Sequence, residues 1–240
     1  ITSNVIYTPL NVDKETGLML VDSVKNVDCV IPVHLYGQCV NVSKLLDLNI
    51  PIIEDCAQAH GATIDGKHVG TIGNIGCFSM YPGKNLGALG DAGVCVTNNE
   101  TLSIKMKQYA SLGAQKDNRY NHITDGINSR MDGIQGLFLN EKLKHLDGWT
   151  KDRIRIGEIY SSSNNAVKRS TIGKDVYHVY YTLKDDRDDY IKYMNENGIQ
   201  TGIHYPISLP ELECFKKYTG STICINAKEF CKKCVSLPLF

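Results

Sequence analysis

The chain reads as an α/β protein: a large domain on a mostly parallel central sheet with flanking helices, then a small C-terminal α+β domain. Three observations carry this. Two apolar runs of strand length, "DCVIPVHLYG" and "NIPIIEDCAQ", each close in polar residues and are separated by a short helical stretch, "NVSKLLDL". That alternation is the pattern of parallel strands joined by crossovers. Further on, "VYHVYYTL", "DRDDYIKYMNENG" and "IQTGIHYP" read as strand, helix and strand, a smaller βαβ-like unit. Between the two lies the Ser/Asn-rich "SSSNN" at 161–165, the clearest break in composition. We assign 1–150 to the large domain and 151–240 to the small one.

Taken in order, the opening "ITSNVIYTPLNVD" is rich in β-branched residues and has neither an initiating Met nor a leader pattern. It reads as a strand entered midway, so an N-terminal portion of the large domain is expected to be missing. After the two apolar runs, "NIGCFSMYP" and "AGVCVTN" are two more short strands. "NNETLSIKMKQYASLG" predicts a helix with Asn98 or Asn99 as N-cap and Gly113 past its end. From Asp132, the recurrence of Ile134, Leu137, Phe138, Leu143, Leu146 and Trp149 predicts a longer helix that "KDRIRIGEIY" continues. "DDRDD" at 185–189 suits a helix start, where acids meet the positive end of the dipole.

Composition narrows the partners. With 42% hydrophobic and 22% charged residues, the chain is ordinary for a soluble globular protein. Lys+Arg and Asp+Glu are both 26, so no strong field recruits nucleic acid or an anionic membrane. No apolar run approaches the about 20 residues that span a bilayer. Nine cysteines, an odd number, read as reduced thiols used as small hydrophobes in a cytoplasmic protein. The alternative, a zinc site made by Cys231 and Cys234 with Cys214 and Cys224, lacks zinc-finger spacing; Cys231 and Cys234 fit one helix face instead. His34, His60 and His68 fall in separate blocks without ligand spacing, so no metal is expected.

The chemistry centres on "FSMYPGKNLGALGDAG", Phe78 to Gly93, which sets Lys84 among glycines just after an apolar run. "GALGDAG" leads into a strand and is neither a dinucleotide fingerprint nor a P-loop. A lysine attacks an aldehyde only as its neutral amine, which requires a desolvated or positively biased site. A pyridine ring then draws electrons only if a carboxylate keeps its nitrogen protonated. Asp55 follows a buried-type strand, at the edge where open α/β sheets hold ligand groups, though an acid there also serves as a helix N-cap. If a helix begins at Asp55, Gln58 lies one turn on. Ser79 offers a hydroxyl for a phosphate. These are the parts of a pyridoxal 5'-phosphate site with Lys84 as covalent anchor.

Five blocks in order, "PVHLYGQ", "IEDCAQAHGA", "FSMYPGKNLGALGDAG", "GINSRMDGIQ" and "GIQTGIHYP", resemble the DegT/DnrJ/EryC1/StrS sugar aminotransferases from about Val30 to the closing "SLPLF". The resemblance implies the pyridoxal-phosphate transferase fold type I and transamination of a nucleotide-linked keto-sugar, with an amino acid, glutamate, as donor. It implies Lys84 as the Schiff-base lysine, Asp55 as partner of the pyridinium nitrogen, Gln58 beside the ring and its phenolic oxygen, and Ser79 on the phosphate. Asn128 of "GINSR" matches an asparagine that reaches the phosphate of the neighbouring subunit's cofactor, so a homodimer with a shared site is implied. His204 and Tyr205 fall where the family places groups near the substrate. The family continues "HYPxPxH", whereas this chain has Ser208 and Pro210 in "HYPISLP". It also begins with a segment holding a phosphate-cradling turn and a ring-stacking aromatic. Two alternatives stand beside this reading: a sugar dehydratase, whose relatives carry histidine where this chain has Lys84, and a shortened non-catalytic or regulatory module.

Overall fold

A computed structural model describes residues 5–163, 166–219 and 222–239. The first four residues of the expected opening strand, the two asparagines of "SSSNN" and the final Phe of "SLPLF" lie outside them. The rest of the opening is extended coil with a single antiparallel bridge, Val12 to Met19, rather than a strand.

The first half builds the sheet. Helix α1 (Ser43–Leu46) precedes strand β1 (Ile53–Asp55); a hairpin of β2 (Thr63–Ile64) and β3 (Lys67–His68) precedes β4 (Ile75–Ser79) and β5 (Gly93–Val96). β1 runs parallel to β4, and β5 is antiparallel to β4. The "DCVIPVHLYG" run lines the other side of β1 through parallel bridges at Val30 and Val33 only, since the chain turns into a 3-10 helix at Leu35–Gly37. The sheet is therefore mixed and mostly parallel, as the α/β reading expects. Behind it, Val24, Val30, Val42, Leu45 and Ile52 form one buried cluster. Gly76 has to be glycine: a Cβ there would sit 2.3 Å from the Gly70 carbonyl oxygen, because the 70–73 loop folds flat against β4.

Helix α2 (Glu100–Tyr109) is capped by Asn99, whose Oδ1 accepts the Leu102 N–H at 3.0 Å. A second hairpin, β6 (Ala114–Gln115) and β7 (Asn118–His122), follows. The long helix expected from Asp132 is two helices, α3 (Gly133–Leu143) and α4 (Leu146–Ser161), broken at Lys144–His145. Of the apolar positions that suggested one helix, Leu146 is buried in the cluster that Leu139 shares with Leu86 and Ala88, whereas Ile134, Leu137, Leu143 and Trp149 are exposed.

In the second half, β8 (Tyr180–Leu183) leads into α5 (Arg187–Glu196), which starts on Asp188 and Asp189 as anticipated. Then come α6 (Glu213–Thr219), α7 (Ile225–Lys233) and β9 (Cys234–Leu237). The expected third element, "IQTGIHYP", is reduced to one antiparallel bridge from Gly202 to Ser236. β9 lies between it and β8, so the unit is a split βαβ. Cys231 and Cys234 consequently do not share a helix face: the first lies in the last turn of α7 and the second opens β9.

Cores join across the chain. Val176 packs with Cys39, Cys56, Ala59 and Val69, while Tyr36 packs with Val179, Tyr181 and Phe230. Arg169, paired with Asp175 at 2.6 Å with both side chains largely buried, donates to the carbonyls of Tyr36 and Val179. No helix among the described residues is long and apolar enough to cross a membrane.

Candidate active site

Lys84 sits in the excursion between β4 and β5. The base of this loop is closed by Met80 N–H donating to Ala92 and Ala88 N–H donating to Met80, both 2.8 Å. From α3, Lys142 Nζ donates to the Gly87 carbonyl at 2.7 Å and Gln135 Oε1 accepts the Leu89 N–H at 2.9 Å. The glycines of this loop, Gly83, Gly87 and Gly90, do not adopt positive φ. Close approach, rather than conformational freedom, explains Gly87: a Cβ there would lie 2.2 Å from the Pro82 carbonyl oxygen. Gly87→Ala is expected to cost about 1–3 kcal/mol through overpacking. Gly83→Ala, whose Cβ would meet only the Tyr81 ring at 3.8 Å, should change stability by less than about 0.5 kcal/mol. Urea denaturation of both variants checks the contrast.

Burial holds the Lys84 ammonium below its usual range, against the opposing pull of the Asp55 carboxylate. Among the described residues, no side chain makes a hydrogen bond or ion pair with Lys84 Nζ. Asp55 ends β1, and its Oδ1 accepts the Ala57 N–H at 3.0 Å. Three imidazoles feel the Lys84 charge. Burial and then Lys84 bring buried His60 down to about 4, and its ring nitrogens have no hydrogen-bond partner, although the Ser79 backbone lies close enough to favour the charged ring weakly. Burial, Lys84, Arg153 and the other two histidines bring His178 down to about 3. His204 is lowered by burial and by Lys84. All three rings are therefore neutral at pH 7.

Each ring has its own setting. His178 Nδ1 lies 3.0 Å from Asn85 Oδ1, which requires the proton on Nδ1 and leaves Nε2 as an acceptor. Asn85, buried next to Lys84 in sequence, also donates to the Val176 carbonyl at 3.2 Å. His204 Nδ1 lies 2.7 Å from Ser236 Oγ, and its carbonyl accepts the Tyr36 hydroxyl.

Gln58 is buried, but residues 56–61 form turns rather than the helix anticipated after Asp55. Tertiary bonds hold it instead. Its Oε1 accepts the Tyr36 N–H at 2.6 Å, and its Nε2 donates to the Tyr205 hydroxyl at 3.0 Å. Tyr36 takes a left-handed backbone, φ 62°, to aim its N–H at Gln58. Ser79 closes β4, and its Oγ accepts the Tyr81 N–H at 3.3 Å. The structure thus joins Asp55, Lys84 and His204 electrostatically and Gln58 to Tyr205 by hydrogen bond. Asn128 is outside this network: it is exposed, bridges Ser111 through its backbone, and accepts from Arg130 at 3.3 Å.

Sequence reasoning passed over Tyr36, Asn85 and His178. Asn85 and Tyr36 stand inside the blocks quoted above, whereas His178 was absorbed into a strand-like run. His34, Glu54 and Cys56 bring three ligand-type atoms within 4.8 Å of one another, yet those of His34 and Glu54 are already in use. His34 Nε2 is bonded to Glu54 at 3.0 Å, and its Nδ1 accepts the Val40 N–H. Glu54 accepts three backbone N–H groups from Gly70, Ile72 and Gly73. Burial pushes the Cys56 thiol far above its usual range. This cluster is a structural hub that fixes the end of β1.

An unpaired, desolvated amine facing a carboxylate at a sheet edge, beside a buried histidine whose nitrogens are unused, fits an aldehyde-bearing pyridine cofactor. The amine suits the aldehyde, Asp55 the ring nitrogen and Ser79 a phosphate.

The chain is similar to known proteins over nearly its whole length. Residues 3–240 match the model of the DegT/DnrJ/EryC1/StrS aminotransferase family. The chain is 31% identical to dTDP-3-amino-3,4,6-trideoxy-alpha-D-glucose transaminase of Streptomyces venezuelae, over 87% of this chain and 58% of that protein. It is 34% identical to UDP-N-acetyl-3-dehydro-alpha-D-glucosamine 3-aminotransferase of Acidithiobacillus ferrooxidans, over 88% and 59% respectively. The fold superposes on the crystal structure of S. venezuelae DesV in complex with a ketimine intermediate, with a TM-score of 0.88, 29% identity, and coverage of 96% of this chain and 66% of that one. The chain spans somewhat under three-fifths of the length of both curated relatives. It belongs to the DegT/DnrJ/EryC1/StrS aminotransferase family.

Proposed function

We propose that this chain carries the catalytic lysine of a pyridoxal-phosphate-dependent aminotransferase, which moves an amino group from an amino acid, glutamate, to the ketone of a nucleotide-linked sugar. The observation that carries the reading is the setting of Lys84: half-buried, unpaired, its ammonium disfavoured, and opposed only by Asp55. When bound, pyridoxal phosphate supplies an aldehyde that carries the amino group and a pyridinium ring that draws electrons from the reacting carbon.

The residues of this chain do the rest. Burial keeps part of the Lys84 population as the neutral amine that attacks an aldehyde. Between the two half-reactions that amine is free again, and Nζ takes a proton from one carbon and returns it to another. Asp55 would keep the ring nitrogen charged, and Gln58, held from both ends by Tyr36 and Tyr205, would help hold the ring. Ser79 Oγ would donate to the phosphate. The imidazoles of His60, His178 and His204, each held below its usual range by burial and by the Lys84 charge, add no positive charge near the amine at neutral pH. His204 and Tyr205 face the substrate, and the exposed Asn128 serves the phosphate site of a second copy, making the working unit a homodimer. Support for the substrate class comes from the relatives, both named as aminotransferases of nucleotide-linked sugars.

The test is product formation. With glutamate, pyridoxal phosphate and a panel of nucleotide keto-sugars, mass spectrometry should find an aminated nucleotide sugar and 2-oxoglutarate in equal amounts. Glutamate consumption without any aminated sugar would reject the substrate class.

A further inference from the structure

Two cysteines that this chemistry does not use face each other across β4 and β5. Cys77 and Cys95 are register partners in the antiparallel pair. The Met80 N–H donates to Ala92, so the hydrogen-bonded positions of β4 alternate back from Met80, and Cys77 opposite Cys95 falls at a non-hydrogen-bonded position. Facing side chains are closest at such positions. In keeping with this, the Cys77 carbonyl is turned the other way and accepts the Cys56 N–H at 2.8 Å. The two sulfurs are 3.9 Å apart, with Cys95 exposed and Cys77 half-buried. Among the described residues, no other two cysteines share a sulfur–sulfur hydrogen bond. Cys29 and Cys214 are exposed without such a partner, and Cys234 is buried with its thiol on the Tyr205 carbonyl at 3.5 Å.

We propose that Cys77 and Cys95 form a modification site: a cross-strand dithiol that is reversibly oxidised to a disulfide by exchange with a low-molecular-weight disulfide of the glutathione class. The Cys95 thiolate attacks one sulfur of the reagent, breaking its S–S bond and releasing one thiolate. Cys77 then loses its proton to that thiolate and attacks the Cys95 sulfur, displacing the second reagent thiol. Two protein thiols and one small disulfide become one protein disulfide and two small thiols; the protein gives up two electrons and two protons, and the reagent takes them.

The division of roles follows from the contact. Cys95 is the more exposed sulfur, and its hydrogen bond with Cys77 brings its thiol down to about 6 against the effect of burial, so Cys95 is the attacking thiolate. The same bond, then burial, then the nearby charges of Cys95, Asp55 and Cys56 push Cys77 far up. Once Cys95 is derivatised the shared proton is no longer held, and Cys77 is released to resolve the adduct. Non-hydrogen-bonded pairs place their Cα atoms about 4.5 Å apart, within the range of about 4.4–6.8 Å that disulfides span, so the bond can form without moving the strands. Cys77 is also the register partner of Asp55, which puts this chemistry at the sheet edge that carries the candidate cofactor residues.

The experiment exposes the reduced chain to oxidised glutathione and maps its peptides by non-reducing mass spectrometry. The expected product is a Cys77–Cys95 cross-link, two hydrogens lighter and reversed by a dithiol reductant. Cys77→Ser should trap glutathione on Cys95 as a lasting adduct and raise the midpoint of Cys95 alkylation by iodoacetamide above pH about 6. At pH 7, Cys95 should be alkylated about tenfold faster than Cys214. A glutathione adduct that persists on Cys95 while Cys77 is present would overturn the proposal. So would modification confined to Cys29 and Cys214.

Discussion

Lys84→Ala should leave a folded chain that no longer turns yellow with pyridoxal phosphate and no longer transaminates. The side chain makes no hydrogen bond or ion pair among the described residues, so its loss removes little that holds the loop. The loop's own anchors, from Lys142 and Gln135, remain. Activity should fall by about 10⁴-fold or more, the upper contribution of a positioned proton-transfer group, because the same amine is also the nucleophile. Borohydride treatment followed by peptide mapping checks the assignment independently of turnover. In the parent protein the pyridoxyl group should sit on the Lys84 peptide and in the variant on none. Retained transamination, or a label on another lysine, would remove Lys84 from its assigned role.

The second large effect belongs to a residue without a place in the chemistry. Glu54 is fully buried and joins His34 to the N–H groups of Gly70, Ile72 and Gly73. Glu54→Ala strands one buried imidazole and three backbone donors at once. Breaking such a buried network costs about 3–5 kcal/mol. A lower urea midpoint with an unchanged slope would register this. The effect depends on pH in a definite sense. Burial raises the Glu54 pKa, but the bonds from His34, Gly73 and Gly70 outweigh it and hold the carboxyl below its usual range. Its stabilisation is therefore fully present above the unfolded value of about 4.3 and is lost as pH falls through the lower folded value. The gap between parent and variant should narrow on acidification below pH about 4. A gap that widened instead would contradict this account.

Much of the candidate site was proposed from the sequence because the signals for it are local. Asp55 could be read from a strand that ends in acid, Ser79 and Lys84 from an apolar run breaking into glycines, and the α2 cap from Asn99 before Glu100. What escaped is what depends on distant partners. Gln58 looked like a helical residue because only its neighbours were visible; its backbone obeys Tyr36 and Tyr205, far away in the chain. His178 joins Lys84 through a bond to Asn85 that spacing does not reveal. Glu54 was overshadowed by Asp55, although adjacent strand residues point to opposite faces and so serve opposite ends, one the site and the other the interior. The break between α3 and α4 was hidden because apolar residues continue on both sides of it, although Ile134, Leu137, Leu143 and Trp149 are exposed and only Leu146 of that series joins the cluster with Leu139.

β9 has a consequence for how the molecule is made. It is the middle member of the small sheet, yet it leaves the ribosome after both segments it separates. Until it emerges, Tyr180 and Tyr181 have no strand to pair with and Gly202 has nothing to bridge, so the sheet of that half must wait for translation to run past Leu237. A nascent chain stalled just short of Cys234 should bind holdase chaperones, and one stalled well beyond Leu237 should let them go.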